Sequence, residues 1–280
     1  MKKFLKWTGF VVAGIAGIAL LVASWVYLAS ERELNRRYDV VESAPIVIPT
    51  DPADIEEGRR LAHLTGCTHC HAENLGGAVP VDIPNVVKFV APNVTAALPG
   101  YSDTELVTLL RQGVKRDGGG VFFMPAEMLR HLDDQDLGRI IAWLRTMPRV
   151  DGVTGQTEVR PIGRFIIAKG DFKSAAQYII DTPRAVAPIA SDVAGRGRYL
   201  VMGACTECHG QDLNGRVEAK APSLAVAKGY SAEDFSKLMH QGVALGGRET
   251  ELMSPTARAR FASFTPEETA AVYEFLKSRS

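Results

Sequence analysis

The chain has 280 residues, a length that suits two small domains with additional segments. Its 32 basic and 32 acidic residues give a formal net charge of zero, and no block of like charges indicates a nucleic-acid partner. The length is also near the upper end for a single domain, so length and charge are compatible with one or two globular domains and argue against a nucleic-acid-binding function.

The first predicted element is an apolar helix near the N-terminus. Three lysines within 1–6 precede the uncharged stretch 7–30, which as a helix is about 36 Å long and spans a hydrocarbon core of roughly 30 Å. A cleaved signal peptide is the alternative, but its apolar region is normally about 7 to 15 residues long. We therefore expect a transmembrane anchor at 7–30, followed by a linker at 31–50.

The rest of the chain contains one unit twice. EGRRLAHLTGCTHCHAENLGG at 57–77 corresponds to GRGRYLVMGACTECHGQDLNG at 195–215, and further matching segments follow in the same order. This repeat predicts two units, at 51–148 and 190–280. We expect the stretch between them, 149–189, to be an interdomain linker that packs on both units.

Each unit is predicted to be helical. Capping residues and apolar residues at helical spacing mark the helix starts. The expected N-cap residues are Asp51 or Asp54, Ser102, Asp133, Ser231 and Thr265. No convincing alternating run indicates a sheet, so the predicted fold class is all-α. Gly-rich and Pro-rich stretches separate the helices, so each unit has a small apolar core and needs a further stabilising component.

All four cysteines fall in two C-x-x-C-H motifs, CTHCH at 67–71 and CTECH at 205–209. This motif attaches a c-type haem, because two thiols one helical turn apart add to the porphyrin vinyl groups and the histidine binds the iron. A thioredoxin-type pair needs an α/β unit, a zinc site needs both pairs to converge, and disulfides leave the histidines unexplained. We therefore predict two covalently attached haems c. Their attachment residues and proximal ligands are Cys67, Cys70, His71, Cys205, Cys208 and His209.

Each unit resembles a class I cytochrome c domain, and the two together resemble membrane-anchored dihaem cytochromes c of bacteria. CTHCHAENLGG, APNVT, GYSDTELVTLLRQGVKRDG and FFMP are especially similar to the cytochrome c subunits of membrane-bound alcohol and gluconate dehydrogenases, which have three haem motifs rather than two. The resemblance covers nearly all of 51–280. It implies haem attachment in an exported, oxidising compartment. We therefore expect a single-pass protein of the bacterial inner membrane, with its haem domains in the periplasm and residues 1–6 in the cytoplasm.

The distal iron ligands are predicted from the repeat together with this resemblance. Met124 and Met253 each lie 23 residues after the tyrosine of a GYS motif, and a proline follows each at once or after one residue, as in the family's distal loop. The other histidines and methionines have no equivalent in the opposite unit, so we expect them in the core or at the surface. The predicted metal ligands are His71, Met124, His209 and Met253.

The resemblance also implies roles for residues around the ligands. The carbonyl groups of Pro92 and Pro222 are expected to accept hydrogen bonds from the two ligating histidines. Arg111 or Lys115 either pairs with haem propionates or is a solvated surface residue. Close helix crossings are expected at Gly58 and Gly197.

Histidine and methionine together close both axial positions of an iron. The expected function is therefore outer-sphere transfer of single electrons, at a higher reduction potential than two histidines give. We predict an electron-transfer protein rather than an enzyme, either free or a subunit of a dehydrogenase or oxidase complex. Its donor and acceptor are then redox proteins or membrane complexes, and no small-molecule substrate is expected. The alternative is a dihaem enzyme, such as a peroxidase or thiosulfate-oxidising cytochrome, which needs a displaceable distal ligand.

Overall fold

The computed structural model of the chain describes residues 2–181, 192–217 and 219–279. These residues are mostly helical, as predicted, and short 3-10 turns join several of the helices. The helices are α1 Lys2–Leu34, α2 Pro52–Leu64, α3 Cys67–His71, α4 Val94–Ala97, α5 Asp103–Gln112, α6 Ala126–Leu129, α7 Asp134–Thr146, α8 Pro161–Ala168, α9 Ala175–Asp181, α10 Val193–Ala204, α11 Thr206–His209, α12 Ala232–Gln241, α13 Met253–Ala259 and α14 Pro266–Ser278.

A small antiparallel sheet contradicts the expectation that no sheet forms. Its strands are β1 Ala78–Ile83, β2 Val87–Ala91 and β3 Glu158–Val159, in that spatial order. Pro80 and a register shift between Ala78 and Val81 interrupt the alternation of β1, which explains why the pattern is weak in the sequence. The third strand comes from the segment between the units.

Helix α1 is longer than the predicted anchor, because it continues to Leu34 and takes up the first residues of the predicted linker 31–50. Its part Lys6–Leu34 is, by length and composition, long and apolar enough to cross a membrane. The chain from 35 onward follows the surface of the first unit, where the Tyr38 amide donates to the Gly118 carbonyl at 2.9 Å. The predicted linker is therefore part of the first folded body.

The predicted helix starts are confirmed. In each case the side chain at the N-cap accepts a hydrogen bond from a backbone N–H of the first turn, which satisfies one of the free donors there. The capping residues are Asp51, Ser102, Asp133, Ser231 and Thr265. Two of them, Ser102 and Thr265, complete a capping box with a glutamate three residues later.

The first and last helices of each unit cross closely, as expected. A methyl group on Gly58 of α2 would collide with the Arg139 carbonyl of α7. A methyl group on Gly197 of α10 would likewise collide with the Ala271 carbonyl of α14. Each glycine therefore allows two helix backbones to touch.

The segment between the units is structured over its described part, 149–181. Its hydrogen bonds attach it to the first unit, as where the Ala175 amide donates to the Val121 carbonyl at 2.7 Å. Helix α8 packs on α1, and the Arg164 guanidinium donates to Ser30 and Glu31 at 3.0 and 2.7 Å. The remainder of the predicted linker, 182–189, lies outside the described residues.

The two units share one apolar core and are also joined by polar contacts. The Tyr199 hydroxyl of the second unit donates to the Asp136 carboxylate of the first at 2.7 Å. Arg60 of the first unit donates to the Glu268 carboxylate and to the Ser263 carbonyl, both at 2.8 Å. The units therefore form a single packed body.

Candidate haem sites

The first C-x-x-C-H motif forms a helical turn of its own. Helix α2 ends at Leu64, and Gly66 takes a left-handed conformation, with φ at 88°, that redirects the chain into α3. Residues three apart on a helix share a face, so Cys67 and Cys70 face the same way. Burial raises the pKa of both thiols, that of Cys70 to about 11. The two thiols thus lie partly buried on one face of α3.

Both thiols line a cavity of about 720 Å³, a volume within the range of roughly 300–1,000 Å³ that is usual for cofactor and ligand pockets. The same cavity is lined by His71 and Met124. The structure therefore brings together the predicted attachment residues, proximal histidine and distal methionine of the first unit.

The His71 ring is oriented by a backbone carbonyl. Its Nδ1 lies 2.9 Å from the Pro92 oxygen, and because a carbonyl can only accept, Nδ1 carries the proton. The lone pair is then on Nε2, the atom that is left to bind a metal. Burial also lowers the pKa of His71, so the neutral ring is favoured.

The remaining lining of the cavity suits a flat apolar group with a charged edge. Phe89 stacks on Phe123 with ring centroids 4.3 Å apart, and leucine side chains cover other parts of the wall. Lys115 lies at the cavity, whereas Arg111 donates to the Asp134 carboxylate at 2.6 Å. Of the two candidate partners for propionates, the structure thus places Lys115 at the site. The residues present fit a haem.

The second motif repeats the thiol burial and the histidine–carbonyl contact of the first. Cys205 follows directly on the end of α10 and is buried, and burial raises the pKa of its thiol to about 12. The His209 Nδ1 lies 2.8 Å from the Pro222 carbonyl oxygen, which again leaves Nε2 free to bind a metal. Burial lowers the pKa of His209. Met253 begins α13 and packs, partly buried, against the core, while Cys208 lies in α11.

The backbone after each motif is also repeated. The amides of Gly77 and Gly215 each donate to the carbonyl of the motif histidine at 2.9 Å. Leu75 and Leu213 both adopt positive φ angles, 55° and 63°, which are uncommon for leucine. The backbone that follows the two motifs is therefore built alike, including its positive-φ leucine.

Several residues that line the first cavity are not predicted by the sequence. They come from the end of α1, from the segment between the units and from the second unit. They are Glu31, Leu34, Arg164, Ile167, Glu207 and Arg260. No local pattern marks the first four, because chain segments far apart in sequence bring them together.

The repeat does contain a signal for Arg260. It lies five residues after Pro255, and Arg130 lies five residues after Pro125 in the first unit. Two of the other histidines have partners in the protein: His240 Nε2 is 3.0 Å from the Thr269 hydroxyl oxygen, and His131 Nε2 is 2.9 Å from Gln211 Oε1.

Comparison with known proteins assigns the family. None of the curated proteins compared with the chain matches it significantly. The sequence model of the family "Cytochrome c" matches twice, at residues 55–148 and 194–280, and each match contains one C-x-x-C-H motif. Cytochromes c are haem-based electron-transfer proteins. With two family domains in tandem, the chain belongs to the cytochrome c family.

Proposed function

We propose that the protein is a membrane-tethered dihaem cytochrome c that carries single electrons between respiratory partners. The observation that carries this proposal is the first cavity, where two thiols, an imidazole with Nε2 unprotonated and a methionine lie together. Haem c, when bound, supplies reversible one-electron oxidation and reduction of its iron. The residues of the chain bind the haem, exclude water from it and set its potential.

In this proposal each unit holds one haem in the same way. Two cysteine sulfurs would hold the haem covalently, and the histidine Nε2 and the methionine sulfur would be the ligands of its iron. In the first unit these residues are Cys67, Cys70, His71 and Met124. In the second unit they are Cys205, Cys208, His209 and Met253. With these two protein ligands the iron would have no position free for a substrate, which favours electron transfer over catalysis at the iron.

The membrane tether is proposed from α1 and its contacts. The cavity of the first unit is lined by Glu31 and Leu34 at the end of α1. The Arg164 guanidinium lies over the Tyr27 ring at 4.8 Å, which holds α1 against α8. With α1 in the bacterial inner membrane and the haem units in the periplasm, the first haem lies next to the membrane surface. A membrane dehydrogenase or oxidase complex is then a suitable partner.

The mass of the mature polypeptide tests the two attachment sites. We expect the mass of the chain plus two haem groups, and plus one in each paired variant, Cys67→Ala with Cys70→Ala and Cys205→Ala with Cys208→Ala. Full occupancy in a paired variant would show that haem is held elsewhere. A wild-type mass without added haem would end the proposal.

Carbon monoxide separates the carrier from the alternative enzyme. A reduced iron with histidine and methionine on its two sides has no open position, so we expect the visible spectrum to stay unchanged under carbon monoxide. Rapid binding at one haem would indicate a displaceable ligand and favour a dihaem enzyme. Purification in mild detergent, followed by identification of copurifying proteins, then tests the proposed dehydrogenase or oxidase partner.

A further inference from the structure

A buried arginine lies at the contact between the two haem units. Arg260 follows α13 in the second unit and is only 4% exposed. Its Nη1 donates to the Glu207 carboxylate at 2.8 Å. Its Nε and Nη2 donate to the carbonyl oxygens of Leu64 and Ala204, at 3.2 and 3.4 Å. One guanidinium therefore touches both units.

The two carbonyl contacts join equivalent points of the repeat. Leu64 is the last residue of α2 and Ala204 is the last residue of α10, the helices that lead into the two C-x-x-C-H motifs. Carbonyl groups at helix C-termini lack partners within the helix and carry partial negative charge, which favours a cation there. Arg260 thus satisfies the ends of both helices at once.

The ion pair also lies directly beside the attachment residues. A Cβ added to Gly66, next to Cys67, would be 2.9 Å from the Arg260 Cζ. Glu207 stands between the two cysteines of the second motif, and both Glu207 and Arg260 line the cavity of the first unit. The pair therefore occupies the space between the two motifs.

We propose that Arg260 and Glu207 form a positioning pair between the two haems, which ties the two attachment motifs together and sets both reduction potentials. This inference rests on the proposed function, since it requires a haem at each motif. When bound, the two haems would exchange single electrons: the iron that gives the electron would be oxidised and the other reduced, with no proton or atom transferred.

The pair is expected to set the potentials because its two charges are shielded from water. Oxidation of a haem iron adds one positive charge, so a nearby cation disfavours oxidation and raises the potential, and a nearby anion lowers it. The Arg260 guanidinium donates to the carbonyl of Leu64, three residues before the first motif, and to that of Ala204, directly before the second. The field of this cation therefore reaches both motifs.

Two single substitutions with opposite expected signs test the proposal. In the detergent-solubilised full chain with two haems, Arg260→Gln removes the cation and should lower both midpoint potentials. Glu207→Gln removes the anion and should raise both. A loosened fold does not produce opposite shifts, so the redox titration distinguishes an electrostatic role from a merely structural one.

The control is Arg258→Gln, two residues away on α13. It also removes an arginine charge, but Arg258 pairs with Glu249 at the exposed surface. We expect it to leave both potentials unchanged. The haem content of each variant is measured first by mass. If Arg260→Gln does not retain two haems, Glu207→Gln decides alone: a rise of both potentials supports the pair, and unchanged potentials overturn it.

Shifts of one sign in both variants, or shifts confined to one haem, would also overturn the proposal. Its failure is distinguishable from failure of the proposed function. If only the inference about the pair fails, the wild-type chain carries two haems, but their potentials do not change when the pair is removed. If the proposed function fails, the wild-type mass lacks two haems.

Discussion

A single backbone oxygen determines which nitrogen of each motif histidine is available to a metal. The carbonyls of Pro92 and Pro222 accept from the Nδ1 atoms of His71 and His209 at 2.9 and 2.8 Å. Such outer contacts fix the tautomer and the direction of the ring. The histidines are therefore preorganised by loops that their own motifs do not contain.

The first prediction concerns the methionine opposite His71. Met124→Ala should lower the potential of one haem or make that haem high-spin, because the thioether ligand that stabilises reduced iron is lost. The haem should stay attached, since both cysteines are intact. Redox titration and the visible spectrum measure these effects.

The matched control is Met128→Leu. Met128 is fully buried in the core, and replacing it with leucine conserves volume, so stability should change by less than about 1.5 kcal/mol and neither potential should move. Two unchanged potentials in Met124→Ala would show that another residue binds that iron.

At the scale of helices, the close crossings limit which substitutions each unit tolerates. Gly58→Ala and Gly197→Ala each place a methyl group against a backbone carbonyl of the last helix, which only movement of a whole helix relieves. Overpacking of this kind costs about 1–3 kcal/mol, so the denaturation midpoint should fall. Gly229→Ala is the control, because a methyl group there meets no atom within 4 Å. Equal midpoints for all three variants would refute the argument.

Elements that depend on interactions between residues close together in the chain could be predicted from the sequence. A side chain at Ser102 or Thr265 caps a helix through residues three positions away, so a short pattern contains the whole interaction. The sheet could not be predicted in the same way. β3 pairs Val159 with Val87, and this contact is formed only when the segment between the units folds back on the first unit.

The candidate site likewise contains residues that the sequence predicts and residues that it does not. The attachment residues, His71 and Met124 follow from motifs and the repeat, whereas Glu31 and Arg260 reach the cavity from other elements. Arg60, Asp136 and Tyr199 likewise form the unit interface through side chains whose partners are distant in sequence. Such contacts are properties of the docked units rather than of a sequence pattern.

For the whole molecule, the docking of the units should depend on pH through Glu268. The Glu268 side chain is 8% exposed, and burial, the largest single effect, raises its pKa. The hydrogen bonds from Arg60 and from the Thr265 amide, together with the charges of Arg60 and Arg196, outweigh burial and lower the pKa. A depressed folded-state pKa stabilises the fold above the unfolded value of about 4.3, and this contribution is lost as pH falls through the folded value. Stability should therefore decline below about pH 4.5.

Glu268→Gln isolates this contribution. Urea denaturation between pH 3 and 7 should show a smaller loss of stability in acid for this variant than for the wild type. Glu267→Gln, at the exposed neighbouring residue, should retain the wild-type pH dependence. Parallel curves for wild type and Glu268→Gln would exclude Glu268 as the responsible group.

The last prediction concerns the tether. A chain without residues 1–30, exported with a cleavable signal, should retain both haems and both potentials, because 51–148 and 190–280 contain every proposed ligand. The truncated chain should leave the membrane fraction. Native membranes should also reduce it more slowly than the full chain, because a tether keeps the haem at high effective concentration near a membrane partner. This slowing should be strongest for the first haem, because Glu31 and Leu34 at the end of α1 line its cavity. The full chain is the control: if its mature mass already lacks the apolar helix and it is found in the soluble fraction, α1 is a signal sequence and the protein diffuses to its partners.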